Sequence, residues 1–278
     1  MTPGAIGRFL LAQRGRSLAG AFLAVAVLLL VQADQAPLLP LRHILFDSYQ
    51  RMFPRDRTAQ PAILVAIDEE SLAKHGQWPW PRDEIAALLD KILAYGPRAV
   101  GFDILFPEPD RLGPAALAQR FPTLPAPALR ALPDPDSILA AALAKGNTVL
   151  AVSGETVPSP VAQVPHHSLG LRGLEDEAHL PEFPASIGSL AKLEQAARGV
   201  GLINAPPDRS GTESERGVIR RVPMVARIGD TRVASLGLEI VRLGTNTRFL
   251  NVEADDHGIV RVGVRGQSLH TLPNGDLA

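Results

Sequence analysis

Cysteine is absent from all 278 residues. That excludes disulfides, thiolate nucleophiles and cysteine-based metal sites, and it leaves a chain that can enter an oxidising compartment without mispairing. Aromatic residues are few, with only two Trp and two Tyr, too sparse for the stacking platforms on which nucleic-acid bases sit. The net charge is −1, so no excess of one sign draws the chain to nucleic acid or another polyanion. There is no phosphate loop, no Gly-x-Ser-x-Gly elbow and no zinc signature, so no cofactor is expected. What remains is an ordinary globular composition, 46 % hydrophobic and 21 % charged, enough for one large domain or two small ones.

The N-terminus carries a location signal. Arg8, Arg14 and Arg16 precede the apolar run Leu18 to Val31, and no acidic residue occurs before Asp34. A positive flank before an apolar stretch is the pattern of a membrane-inserting segment. The run is short against the usual span of about 20 residues, unless it borrows Phe9-Leu10-Leu11 or Gln32-Ala33. One reading is a transmembrane anchor over 17–33 with 1–16 in the cytoplasm. The other is a cleaved signal peptide ending at the small-x-small site Val31-Gln32-Ala33. Both place the remainder, a domain over 38–278, in the periplasm or outside the cell, with the inner membrane as its address.

Downstream, the period of the apolar residues changes element by element. Leu41, Ile44, Leu45, Ser48, Tyr49 and Met52 share one face of a helix running to Phe53 and stopped by Pro54; it is expected to leave the membrane and dock on the domain. Ala62 to Ile67 is a β-branched apolar run that suits a strand buried on both faces. Asp83 opens a helix with its stripe at Ile85, Leu88, Leu89, Ile92 and Leu93, ended by Gly96-Pro97. Ala99 to Phe106 is a second buried strand. Residues 107–135 read as a Pro/Ala-rich loop with one helical turn near 115–119. Asp136 caps a helix, and Thr148 to Val152 is a third strand. The result is an α/β fold: a layered βαβαβ core with a mostly parallel central sheet. Further on, 154–182 is loop, 185–197 helix, 199–204 strand and 236–243 helix. The Gly229-Asp230 turn between Val218–Ile228 and Thr231–Ser235 is a hairpin signal. Short strands at 248–252, 259–264 and 268–272 add C-terminal antiparallel hairpins. Asn274-Gly275 is a further turn signal with only three residues after it, from which the chain is expected to continue in its parent protein.

The most distinctive local feature is Trp78-Pro79-Trp80-Pro81-Arg82-Asp83. Two prolines stiffen the backbone, two indoles supply rigid apolar area, and Arg82 can reach a carboxylate. Asp68 and Asp103 are its expected partners, each near the C-terminal end of a parallel strand, where α/β folds gather their sites. Such a cluster is either a ligand site or an ion-pair lock that ties loop to sheet. An arginine beside two carboxylates lowers both pKa values and argues against an acid/base pair. Glu69, Ser71 and His75 are available to a metal, but their spacing matches no metal motif. Gly199-Val200-Gly201 lacks the third glycine of a dinucleotide loop. His166-His167 and Glu175-Asp176-Glu177 with His179 read as solvated loop.

Three blocks carry a family likeness: Ile63-Leu64-Val65-Ala66-Ile67-Asp68-Glu69-Glu70-Ser71-Leu72, Trp78-Pro79-Trp80-Pro81-Arg82, and Val100-Gly101-Phe102-Asp103-Ile104-Leu105-Phe106-Pro107-Glu108-Pro109. With Gly199 to Asn204 and Gly217-Val218-Ile219-Arg220-Arg221-Val222-Pro223, they resemble the type-two CHASE domain, a sensory extracellular domain associated with cyclases and histidine kinases. The resemblance implies an anchor, an extracytoplasmic sensor and further membrane helices. It also implies a cytoplasmic output: a nucleotide cyclase, a diguanylate cyclase or a kinase. The candidate ligand-binding or switch residues are Asp68, Glu69, Trp78, Trp80, Arg82, Asp103 and Arg220, with no catalytic residue and no metal ligand among them. The expected partners are an unidentified small-molecule or protein effector, the membrane and a second copy in a homodimer, with no nucleic acid. The competing readings are an extracytoplasmic metal-dependent hydrolase using Asp68, Glu69 and Asp103, and a non-catalytic envelope interaction module.

Overall fold

The computed structural model describes residues 19–29, 39–54, 61–123, 125–157, 170–172, 180–205, 219, 221–255, 258–271 and 276–277. The chain divides into two compact units, Met1–Val65 with Pro207–Val218, and Ala66–Pro206 with Ile219–Ala278.

In the first unit, residues 19–29 form helix α1 and Leu39–Met52 form α2. Among the described residues no helix is long and apolar enough to cross a membrane; of the expected anchor over 17–33, only 19–29 lie within them. The expected helix over 41–53 is α2. Its apolar residues from Ile44 to Phe53 stand exposed. The expected strand at 62–67 is corrected. Residues 61–68 form no strand, and Ile63 and Leu64 are 88 % and 90 % exposed. A β-branched run has the composition of a strand, but a strand exists only through the partner that takes its hydrogen bonds.

The second unit begins with α3 (Glu69–His75) and α4 (Arg82–Ala94), whose buried stripe is Ile85, Ala86 and Leu89. Pro81 occupies the N-cap position, and Asp83 lies inside the first turn rather than capping it. Strand β1 (Val100–Phe102) is shorter than expected. The loop after it gives way to α5 (Pro114–Arg120) and α6 (Ala126–Arg130). Helix α7 (Pro135–Leu143) is capped by Asp134, not Asp136. Next come β2 (Thr148–Glu155), β3 (Gly170–Arg172) and β4 (Glu182–Phe183). The helix expected at 185–197 divides into β5 (Ala185–Ile187) and α8 (Ala191–Ala196), because Ala185–Ile187 pairs antiparallel with the end of β2. Then follow β6 (Gly199–Leu202), β7 (Val222–Pro223), β8 (Val225–Ile228), β9 (Thr231–Ser235) and α9 (Leu236–Gly244). The chain closes with β10 (Phe249–Asp255), β11 (Gly258–Val264), β12 (Gln267–His270) and β13 (Asp276–Leu277).

The main sheet runs β1-β2-β6-β9-β8-β4, with β5 paired to β2. The β1–β2, β2–β6, β6–β9 and β4–β8 pairs are parallel. The β8–β9 hairpin is antiparallel, with Ile228 opposite Thr231 and Gly229 at φ +55 in its turn. A smaller sheet, β12-β11-β10-β3, carries the antiparallel C-terminal strands. The fold is therefore α/β with a mostly parallel central sheet. The Asn274-Gly275 turn lies outside the described residues.

Helices cover both faces of the main sheet. On one, Ile85, Leu89, Leu139, Leu143 and Leu193 from α4, α7 and α8 pack with Phe102 and Leu150. On the other, register aligns Gly101, Val149 and Gly199 across β1, β2 and β6, and Ala151, Gly201 and Ala234 across β2, β6 and β9. This floor of mostly small side chains lets α9 lie on the backbone: a Cβ at Gly201 would sit 2.5 Å from Leu236 Cα, and one at Gly101 would overlap Ile240 Cδ1. Gly199-Val200-Gly201 is thus a strand that makes room for a helix.

Candidate functional site

The Trp-Pro-Trp-Pro loop delivers Arg82 to the first turn of α4. Trp80 is buried and donates its indole N–H to Gly76 O at 2.8 Å. Trp78 packs edge-on to it, with ring centroids 6.0 Å apart, against the same core cluster. The two indoles fix where the loop ends, and so where Arg82 begins.

Arg82 is buried, with its guanidinium carbon over the Phe106 ring and 4.5 Å from its centre, within the range of a cation–π contact. Its carboxylate partners are Asp110 and Asp136. The Arg82 backbone N–H donates to Asp110 Oδ2 at 2.6 Å. Leu112 N–H donates to Asp110 Oδ1 at 2.7 Å. Asp110 N–H donates to Asp136 Oδ2 at 3.0 Å. Arg82 Nε faces Asp136 Oδ1 at 3.8 Å, and neither of these buried atoms has a hydrogen-bond partner among the described residues. A carboxylate from the loop after β1 therefore closes the N-terminus of α4. A second carboxylate, in the first turn of α7, receives that loop's own N–H. Both sit at the positive ends of helices.

Burial dominates the electrostatics. It pushes the Asp136 carboxyl above its ordinary value; the neighbouring charges of Asp134 and Asp110 add to this, while the Asp110 N–H and Arg82 pull it back. Burial also pulls Arg82 below its ordinary value, with Asp110 and Asp136 opposing. Asp134 is raised by burial, but the Lys192 and Ser137 hydrogen bonds outweigh this and leave it below the usual carboxylate range. Lys192 Nζ donates to Asp134 Oδ2 at 2.7 Å and to Ser137 Oγ at 3.0 Å, tying α8 to the cap of α7.

Above this cluster opens a cleft of about 510 Å³. Its polar groups are Asp110, Asp134, Asp136 and Lys192; Pro109, Pro114, Ala115, Ala116, Leu190 and Ala191 supply apolar wall. The loop after β1 is held beneath it by Phe106 N–H donating to Ser189 Oγ at 3.3 Å, and by Leu190 N–H donating to Phe106 O at 2.8 Å. The cleft thus lies at the C-terminal end of a parallel strand, where the α/β rule puts it.

The residues singled out in the sequence are dispersed. Asp68 is the N-cap of α3, accepting from Ser71 N–H at 2.9 Å and Ser71 Oγ–H at 2.7 Å. The backbone bond from Ser71, then its hydroxyl, lower the Asp68 carboxyl. Glu69 begins the exposed α3. Asp103 follows β1, is exposed, and has no hydrogen bond or ion pair with Arg82. The expected Asp68–Arg82–Asp103 cluster is corrected to Arg82–Asp110–Asp136. Arg220, His166, His167, Glu175, Asp176, Glu177 and His179 lie outside the described residues. Among the described residues no three His, Asp or Glu are grouped so as to hold a metal ion, and Asp68, Glu69 and Asp103 form no such group. Sequence signals for the real partners existed: Asp110-Arg111-Leu112-Gly113 is an Asp turn, and Asp134-Pro135 is an N-cap followed by Pro at N1.

The fold and cleft define an α/β domain whose charged groups pair with one another at a strand end. The CHASE2 domain model matches residues 21–274. The chain belongs to the CHASE2 domain family, a family of sensory extracellular domains. No curated protein and no solved structure matches it.

Proposed function

We propose that the chain is an extracytoplasmic sensory input domain. It is held at the inner membrane by its N-terminal segment and regulates a cytoplasmic cyclase or kinase output elsewhere in its parent protein. The match to CHASE2 across residues 21–274 carries this reading. The chain senses rather than catalyses, and it works as a homodimer. Its effector is a small molecule taken up in the cleft over Asp110, Asp136 and Lys192, a site supported by its apolar wall and few polar groups. Binding there biases the α4, α7 and α8 N-termini between two arrangements, which the output reads.

Thermal unfolding of the purified protein against ions and small metabolites tests this. A ligand at 100-fold over its Kd adds about 2.7 kcal/mol. Ala115→Trp, on the exposed rim of the cleft, should abolish the ligand's shift and leave the unliganded Tm in place. In the parent protein, the same substitution should fix the output in one state. An output that responds normally with the cleft blocked refutes the cleft as the input.

A further inference from the structure

We propose that α2 lies in the membrane–water interface and binds anionic phospholipid through an exposed apolar face; this rests on the reading of the chain as membrane-anchored. At 100° per residue, Leu45, Phe46, Tyr49, Met52 and Phe53 fall within an arc of about 120°. Phe53 belongs to the same winding, since its N–H donates to Tyr49 O at 2.9 Å. All five side chains are exposed, from 53 % at Leu45 to 71 % at Met52. Asp47 and Arg51 fall on the opposite side with Ile44 beside them, and Gln50 falls at one border of the arc. Ser48, at the border, satisfies its hydroxyl within the helix by donating to Ile44 O at 2.7 Å. An aromatic apolar arc of this kind, opposite the charged pair Asp47 and Arg51, is the form that lies in a bilayer surface.

Charge and reach select the bilayer over a second copy. Over 39–58, Arg42, Arg51, Arg55 and Arg57 stand against Asp47 and Asp56, leaving +2 with His neutral. Two copies meeting at α2 would bring like charge together, whereas an anionic lipid surface complements it. Only residues 32–38 separate α2 from the apolar run Leu18 to Val31. At full extension that link covers about 25 Å, so an inserted run holds the start of α2 at the headgroups. Three aromatic rings on the apolar face suit that depth; Tyr49 and Phe53 already pack with centroids 5.2 Å apart.

The cysteine-free chain allows single nitroxide labels at Phe46→Cys, Phe53→Cys, Asp47→Cys and Val25→Cys. The full chain is reconstituted in vesicles of phosphatidylcholine with phosphatidylglycerol. Labels at 46 and 53 should be more accessible to oxygen than to an aqueous nickel chelate, at about 5–10 Å below the phosphates. The label at 47 should show the reverse. In phosphatidylcholine alone the labels at 46 and 53 should move toward water. Aqueous labels at 46 and 53 with a hydrocarbon-buried label at 25 overturn the interfacial helix and leave the anchor standing. An aqueous label at 25 overturns the anchor itself. Spin–spin broadening at 46 without oxygen access assigns the face to a second copy and overturns the proposal, as does a depth indifferent to anionic lipid.

Discussion

Replacing Asp110 by alanine separates the observed cluster from the one expected at the strand ends. Asp110 accepts two backbone N–H bonds, from Arg82 at 2.6 Å and Leu112 at 2.7 Å, and is one of two carboxylates opposing the burial of Arg82. Hydrogen bonds to a charged acceptor contribute about 1.5–3 kcal/mol each. The Leu112 N–H is only partly buried and regains water in the variant, so the two do not add in full. Removing one partner of a buried charge typically costs about 3–5 kcal/mol, and Asp110→Ala is expected in that range. At about 2–4 °C per kcal/mol for a chain of this size, Tm falls by about 6–20 °C. Asp103→Ala, at an exposed residue, should stay within about 0.5 kcal/mol of the parent. Thermal and urea unfolding of both variants, followed by circular dichroism, measure this. Equal losses for the two variants, or a loss below about 1 kcal/mol for Asp110→Ala, refute the assignment of Arg82 to Asp110 and Asp136.

Two further outcomes follow from the same interior. The folded-state pKa of Asp136 is raised above 3.8 by burial. Its stabilising contribution is therefore fully present below 3.8 and lost as pH rises through the folded value. Asp136→Asn keeps an oxygen for the Asp110 N–H and removes that loss, so urea-unfolding curves should show the variant gaining on the parent as pH climbs from 3.8; parallel pH profiles would sink this reading. Gly201→Ala drives a Cβ to 2.5 Å from Leu236 Cα and should cost about 1–3 kcal/mol. Gly237→Ala meets nothing within 4 Å and should gain about 0.4–1 kcal/mol; equal effects at the two glycines in urea unfolding would show that α9 does not rest on the sheet backbone.

Elements governed by local rules were legible in the sequence. The α4 stripe, the β8–β9 turn at Gly229-Asp230 and the strands at β2 and β6 appear where period and turn chemistry place them. The failures share one cause. Arg82 finds its carboxylates 28 residues away at Asp110 and, through Asp110, a further 26 away at Asp136; no local pattern encodes such a pairing. Asp103 looked the better partner because it directly follows β1, but adjacency to a strand end does not decide which way a side chain points. Residues 62–67 have strand composition without a strand's hydrogen-bonding partner, and only tertiary structure supplies that information. The 185–197 segment misled for a related reason: its β5 half is a strand solely because β2 extends far enough to meet it.

The glycine and alanine floor beneath α9 also bears on mechanics. With so little side chain between helix and sheet, the helix is keyed into its notches. Sliding it by one turn, about 5.4 Å, would lift Leu236 and Ile240 off Gly201 and Gly101, the positions whose missing Cβ admits them. The helix and strands β1, β2, β6 and β9 therefore travel as one rigid block. Any displacement that carries a signal through this unit has to be taken up elsewhere, at the side-chain latches joining α4, α7 and α8, where a few hydrogen bonds can be exchanged without unseating the sheet.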